Sequence, residues 1–469
     1  MDVDLLWGGV SRTVDLLFWK SGSARVKNFM IFAVLGLCVP MAGCVTVPEV
    51  GDAISTGRLS GALSSSQATQ ADRAETPAPG SEFSMFLSYA LARNSEIRAL
   101  RQAQGVAESG VDRVAAQTRP QVNGSVSGGA YRDDISSGTS EAGAALSLKV
   151  SQLLYDGGQV AGSIGVSQLE VALAQSATAV ASNRIGAEAA GAWASLWQAR
   201  AEMAAAAALQ DEVRPHVAQL ERMSQAGMID RSLSDRVASR LVELDMMAEE
   251  AASALSLAQM QYAEYFADAE FGGTLPKLPA EAAGQLDLDV DLISVPSVRA
   301  GALRVLLAEG RLAIAEAAYK PRVSFELGTS SPMNPDDTAS AQVGLSVTYQ
   351  FFDGGARDAD NAGAEKNVRQ AKSSLDDVRA DASNLVASLR ERAAHLSKSV
   401  KLMTKKLAAL DQQLAVAESQ IQTGQADVSK VFEMKVQRYE MESAMRRRQA
   451  DAVRTRFELA AALGLFSKI

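Results

Sequence analysis

The sequence predicts an α+β membrane protein in which short transmembrane β-hairpins alternate with long coiled-coil helices, in two structural repeats per chain. Three observations predict it. Stretches of about ten residues alternate apolar and polar side chains with a period of two, the pattern of a strand with one face in lipid. Two long helical stretches carry apolar residues spaced by four and three, the seam of a coiled coil. The same landmarks also recur in the same order about 200 residues apart, the signature of an internal repeat.

The N-terminus reads as a leader. Arg25 and Lys27 precede the apolar run Met30 to Pro40, and small residues lead from it to Cys44. A basic start, a short apolar core and a small-residue site make a secretion signal, here residues 26–43. The run is too short for a spanning helix. Residues 1–25 fit neither the leader nor the body and read as a misassigned extension upstream of the true start. Met41-Ala42-Gly43-Cys44 resembles the bacterial lipoprotein box, with Met41 where leucine is usual. That resemblance implies lipidation of Cys44. It also implies outer-membrane sorting, because Val45 rather than aspartate follows. The competing reading is an ordinary secreted chain with a free thiol. Cys38 lies in the leader, so the mature chain keeps Cys44 alone, which leaves no internal disulfide and no cysteine metal cluster. Residues 44–80, rich in Ser, Ala, Gly, Thr and Pro, form a flexible linker.

The first repeat is assigned to residues 81–270 and the second to 299–469. Residues 271–298, with Pro276, Pro279 and Pro296, lie between them. Each repeat opens with a helix and continues through a β-hairpin, about 121–155 in the first and about 322–352 in the second. Arg119-Pro120-Gln121-Val122 matches Lys320-Pro321-Arg322-Val323, and Tyr155-Asp156-Gly157-Gly158 matches Phe352-Asp353-Gly354-Gly355. Val343, Leu345, Val347, Tyr349 and Phe351 alternate with polar or small residues, as do Val323, Phe325 and Leu327. Leu146, Leu148, Val150 and Leu154 do the same in the first repeat, and Val122, Val126 and Ala130 do so more weakly. The polar segments Arg132–Ser140 and Ser330–Ser340 are read as hairpin loops. A soluble two-sided sheet is the competing reading of the alternation.

After each hairpin comes a helix pair. The first turns near Gly227 and the second near Gly424. Leu396, Val400, Met403, Leu407, Leu410, Leu414, Ala417 and Ile421 form one seam. Val237, Leu241, Leu244, Ala248, Ala251, Leu255, Ala258, Tyr262 and Tyr265 form the other. A helix of 65 residues is about 100 Å long, and Pro215 is a candidate kink in the first. Helices this long need parallel neighbours to bury their seams. The composition, 47% apolar with 5% aromatic, suits close helix packing better than a broad aromatic core.

Glycine at the strand-to-helix turns supplies unusual backbone angles, and Asp156 and Asp353 can accept from free N–H groups at a helix start. A phosphate loop is the rival reading, but no Lys-Ser/Thr pair follows either turn. His216 and His395 lie in separate long helices with no spaced ligands, so no metal site is expected. No nucleophile triad or carboxylate pair at a recognised spacing appears, so neither catalytic residues nor a cofactor are expected. With a net charge of -9 and no basic face, nucleic acid is not expected as a partner.

Four strands cannot close a barrel, and open strand edges in lipid leave unpaired N–H and C=O groups, each costing several kcal/mol. Several chains must therefore share one wall, and the strand count alone does not fix how many. In the order of its elements, its duplicated Asp-Gly-Gly turns, the turns at Gly227 and Gly424, and the ending Leu459 to Gly464, the chain resembles the TolC-type outer-membrane efflux proteins. The resemblance covers residues 82 to 466. It implies a homotrimer with a twelve-stranded transmembrane barrel continued by a periplasmic α-helical tube. It implies a passive duct for efflux or type I secretion, working with a periplasmic adaptor (membrane fusion) protein and an inner-membrane ABC or proton-driven pump. In that family two aspartates shortly after the second-repeat glycine narrow the tube. Here those positions hold Lys430 and Glu433, a hypothetical periplasmic gate whose competing reading is a solvated helix end. Asp230 and Asp427 read as caps. The alternative function is a lipid-anchored periplasmic coiled coil without a pore, which would have no use for alternating strands.

Overall fold

The computed structural model describes residues 76–78, 81–131, 141–228, 230–286, 295–332, 338–422 and 428–468. Cys44, Gly424, Asp427, the leader and the hairpin tip 132–140 lie outside them. The chain is mostly helical with one small antiparallel sheet. In order, α1 spans Phe83–Arg93 and α2 Ser95–Ala115, β1 Gln121–Tyr131 and β2 Glu141–Tyr155. Then come α3 Gln159–Gln225, α4 Arg231–Phe266, the short α5 Ala280–Gln285 and α6 Pro296–Ala317. β3 Arg322–Pro332, β4 Ser340–Thr348, α7 Ala356–Gln422 and α8 Val428–Ala462 complete it. Asn94 caps α2, its side chain accepting from the N–H groups of Glu96 and Ile97. Pro296 opens α6 at a first-turn position, where its missing N–H has no partner to lose.

The sheet order is β1-β2-β3-β4, antiparallel throughout. The helices repeat this sequence of neighbours. Nearest the sheet, α2, α3, α6 and α7 pack side by side; further along, α4, α3, α8 and α7 do. The two 67-residue helices, α3 and α7, belong to both strips. Leu244, Ala251, Ala258 and Tyr262 of the first seam are buried, as are Leu396, Leu410 and Ala417 of the second.

Several expectations are corrected. β4 stops at Thr348 instead of reaching Phe352, because its partner β3 begins at Arg322 and no ladder remains beyond the Arg322–Thr348 pair. β3 runs through Ser330 and Ser331 to Pro332, so the loop starts later than the polar composition suggests. β2 has 15 residues and its register shifts between Leu153 and Tyr155. Tyr155, rather than Leu154, therefore stands opposite Val323. The interval 271–298 is not all linker, since it holds α5 and the start of α6.

The few aromatics are also less dispersed than the composition implies. Phe83, Phe86, Trp193, Tyr262, Phe266, Phe271, Phe457 and Phe466 form one knot, with neighbouring ring centroids 4.7–6.5 Å apart. It joins α1, α3, α4 and α8, and edge-to-face contacts such as Phe86–Trp193 dominate it. The Trp193 indole N–H donates to the Thr274 carbonyl at 2.7 Å.

Candidate functional site

The sheet has two unlike faces. In register, Val122, Val126, Leu146, Leu148, Val150, Phe325, Leu327, Val323, Val343, Leu345 and Val347 share one face. Asn123, Ser125, Ser127, Ser147, Lys149, Ser151, Glu326, Ser330, Gln342 and Ser346 share the other. The period of two in the sequence and the antiparallel register together place them so. On the polar face Lys149 Nζ pairs with Glu326 at 3.0 Å, and the Ser147 hydroxyl donates to Ser330 Oγ at 3.4 Å. On the apolar face Val343, Leu345 and Val347 are exposed, as are Val122 and Val126. A solvated sheet would not leave them so. Among the described residues β1 and β4 each pair on one side only, leaving two open edges.

The strand-to-helix joints are built alike. Asp156 accepts from the N–H of Gly158 at 2.9 Å and of Val160 at 2.7 Å. Asp353 accepts from the N–H of Gly355 at 3.0 Å and of Arg357 at 3.1 Å. Each aspartate thus holds one free donor of the helix start. The glycines are required by φ: +73° and +97° at Gly157 and Gly158, +71° and +90° at Gly354 and Gly355. At the second joint the Arg357 Nε also donates to Asp353, at 2.7 Å, and keeps that carboxyl below the usual carboxylate range. Arg357 further donates to the Gln350 carbonyl at 2.7 Å. Sequence reasoning missed Arg357, and also Lys320, whose Nζ donates to the Gly157 carbonyl at 3.2 Å. Both were readable only as basic residues beside a landmark.

Beyond the joints, the helix pairs are stitched by charge. Lys435 of α8 is nearly buried between Glu212 of α3 and Glu418 of α7. Burial lowers its tendency to hold a proton, yet the two carboxylates outweigh that and raise its pKa. Arg438 pairs with Asp411 at 2.6 Å and with Glu442 at 2.9 Å. Glu202 accepts from Ser443 at 2.5 Å and pairs with Arg447 at 3.0 Å. Burial pushes the Glu202 carboxyl up, but these donors prevail and hold it below the ordinary glutamate value.

At the far end of the first pair, Gly227 has φ +70°. The Met228 N–H donates to the Met223 carbonyl at 2.9 Å and the Gly227 N–H to Ser224 at 3.0 Å. That double closure is the Schellman motif. Asp230 is exposed beside it. At the start of α8, Lys430 and Glu433 are exposed and one helical turn apart, while Val431 and Phe432 between them are buried. His395 is exposed on α7. Among the described residues no cluster of His, Cys, Asp or Glu could hold a metal ion, and no helix is long and apolar enough to cross a membrane.

Comparison with known proteins agrees with this architecture. Residues 290–465 match the family model described as Outer membrane efflux protein. No curated protein sequence matches the chain. Among solved structures, CusC, described as undergoing transmembrane channel formation, is similar with a TM-score of 0.72 at 15% identity, over 81% of this chain and 91% of that one. The CmeC outer membrane channel of Campylobacter jejuni gives 0.69 at 12%, over 81% and 84%. The open MtrE outer membrane channel of Neisseria gonorrhoeae gives 0.68 at 17%, over 81% and 88%. These relatives are channel proteins, not enzymes. Residues 290–465 match the Outer membrane efflux protein family model, and over 81% of its length the chain carries the fold of solved outer-membrane channels.

Proposed function

We propose that the chain is the outer-membrane duct of a tripartite efflux or type I secretion system, a passive conduit from periplasm to exterior. The observation that carries this reading is the open four-stranded sheet with one apolar and one polar face, continued by two 67-residue helices. In lipid both its edges need partners. Three copies of a four-stranded sheet make twelve strands, with the apolar face toward lipid and the polar face lining a lumen. The helix strip asks for the same closure. Its edge helix α4 exposes Val242, Met246, Leu257 and Met260, and its other edge, α7, exposes Leu385, Leu402 and Val416. A pore-free coiled coil leaves the two-faced sheet without a role.

The duct does no chemistry, and the energy comes from an inner-membrane ABC or proton-driven pump reached through a periplasmic adaptor. Lipid on Cys44 adds an anchor at the outer membrane. Lys430 and Glu433, one from each of three chains, form a ring of paired charges at the periplasmic mouth and hold it closed. The two halves of the chain, residues 81–270 and 299–469, act as repeats that set six similar units around the ring.

The test is the purified mature chain in detergent. Light scattering is expected to give three chains per particle, and planar bilayers containing it are expected to show discrete conductance steps. A single-chain particle, soluble without detergent and silent in bilayers, overturns the reading. Deleting the gene and scoring secreted proteins against drug sensitivity separates secretion from efflux.

A further inference from the structure

We propose that the place where α8 ends and α6 begins is a binding pocket on the lumen side of the tube, and that it takes an amphiphilic cation, a flat apolar body with a protonated amine. The proposal rests on the duct reading above and adds a class of solute that the wall itself can hold.

Two helices share one slot. Both α8 and α6 pack between α3 and α7, α6 nearest the sheet and α8 further along. α8 stops at Ala462 and α6 starts at Pro296. Where one gives way to the other, a cavity of about 490 Å³ remains. Val180, Ala187 and Gly191 of α3, Val295 ahead of α6, Leu389 of α7 and Ala461 of α8 line it. A Cβ added to Gly191 would meet nothing within 4 Å, so the α3 wall is open there. A mostly apolar space of this size with a few placed polar groups suits a drug-sized ligand.

The side chains of α3 show which way the cavity opens. Val180, Arg184, Ala187 and Gly191 step by four and three along one side of that helix. Ile185, Ala189, Trp193 and Leu196 run along the other, where the aromatic knot sits. α1 packs on the knot side through Phe83 and Phe86 against Trp193, and the segment after α4 through Phe271. The C-terminal turn joins them there, since a Cβ on Gly186 would lie 2.9 Å from the Phe466 ring. Three further pieces of chain thus cover one face of the helix strip, and the cavity lies on the bare face. A wall curved into a tube has more room on its convex side, so the covered face turns outward and the cavity inward.

The charges around the cavity favour a cation. Arg184 donates to both Glu188 carboxylate oxygens, at 2.8 and 3.0 Å, and to Glu96 at 2.5 Å. Arg454 pairs with Asp451 at 2.9 Å and donates to the Ser195 hydroxyl at 2.9 Å. Both arginines are therefore already matched. Glu458 also lines the cavity, is exposed, and pairs with no cation among the described residues. Pro296 removes the first N–H that α6 would otherwise offer an anion. An apolar ring system seated in the cavity leaves its ammonium group for the Glu458 carboxylate.

Fluorescence anisotropy of 1-pyrenemethylamine, and of its neutral isostere 1-pyrenemethanol, with the full mature chain in lipid nanodiscs tests this. The wild type is expected to bind the amine about fivefold more tightly than the alcohol. Glu458→Gln should erase that preference and leave the alcohol unchanged. Gly191→Leu fills the cavity while favouring the helix, and is expected to weaken both about tenfold. Gly165→Leu, at an equally open position of α3 outside the cavity, should bind like the wild type. In planar bilayers the amine is expected to reduce the wild-type current and to leave that of Gly191→Leu unchanged. Equal binding by wild type and Gly191→Leu, equal affinity for amine and alcohol, or binding without loss of current overturns the proposal. Channels that conduct but ignore the probe leave the duct standing. A chain that makes no channel removes the duct and the lumen placement with it, whatever it binds.

Discussion

The helices α3, α4 and α8 are held together in two different ways along their length. Around Trp193 they meet in a knot of interlocked rings in which Phe86, Phe266, Phe457 and Phe466 are almost wholly buried. Toward Gly227 the same helices meet through alanines, single leucines and valines, with Phe432 and Tyr439 near the end. There charged bridges such as Lys435–Glu418, at 2.8 Å, span the seam. Local stability follows the density of buried apolar contacts. The difference therefore separates a firm collar midway along α3 from an end that can rearrange one interaction at a time.

The largest effect expected from this contrast lies in the collar. Phe266→Ala should cost about 4 kcal/mol, whereas Leu410→Ala in the α7 seam should cost about 2 kcal/mol. Denaturant unfolding of the detergent-solubilised protein measures both, and equal losses would erase the distinction.

A smaller effect sharpens the other side. Glu202 has a folded pKa below the ordinary glutamate value of 4.5. Its contribution is present above that value and fades as pH falls through the depressed one. At pH 7 the wild type should unfold at a higher temperature than Glu202→Gln, and the gap should shrink below pH 4.5. A gap constant down to pH 3 would mean that the carboxylate does not hold α8 to α3.

The smallest change in stability is expected at the proposed mouth. Lys430→Ala and Glu433→Ala alter exposed side chains, so unfolding should move by less than about 0.5 kcal/mol. Single-channel current should nonetheless rise in both. Unchanged conductance would remove these two residues from the gate.

Much of this was legible because strand and seam patterns are local. The alternation from Val343 to Val347 falls on β4, and the spacing of Leu244, Ala251 and Ala258 falls on buried positions of α4. The knot was not legible, since Phe83, Trp193, Phe266 and Phe457 come from four helices and share no spacing. Nor was the end of β4: the sequence alternates on to Phe351, but a strand lasts only as long as its partner, and β3 starts at Arg322. The shift at Leu153 was hidden for a related reason, because register belongs to a pair of strands and not to either one. Lys435 looked like any surface lysine until Glu212 and Glu418 arrived from other helices.

The bond between Lys149 and Glu326 has a consequence for what could pass along the polar face. It ties β2 to β3, and each partner cancels the other's charge a few ångströms from where a solute would travel. In the proposed twelve-stranded ring, three such dipoles would stand at one height with no net sign. Salt gradients across that ring should therefore drive anions and cations nearly equally, so sorting of cargo by charge would fall to parts of the route outside the membrane.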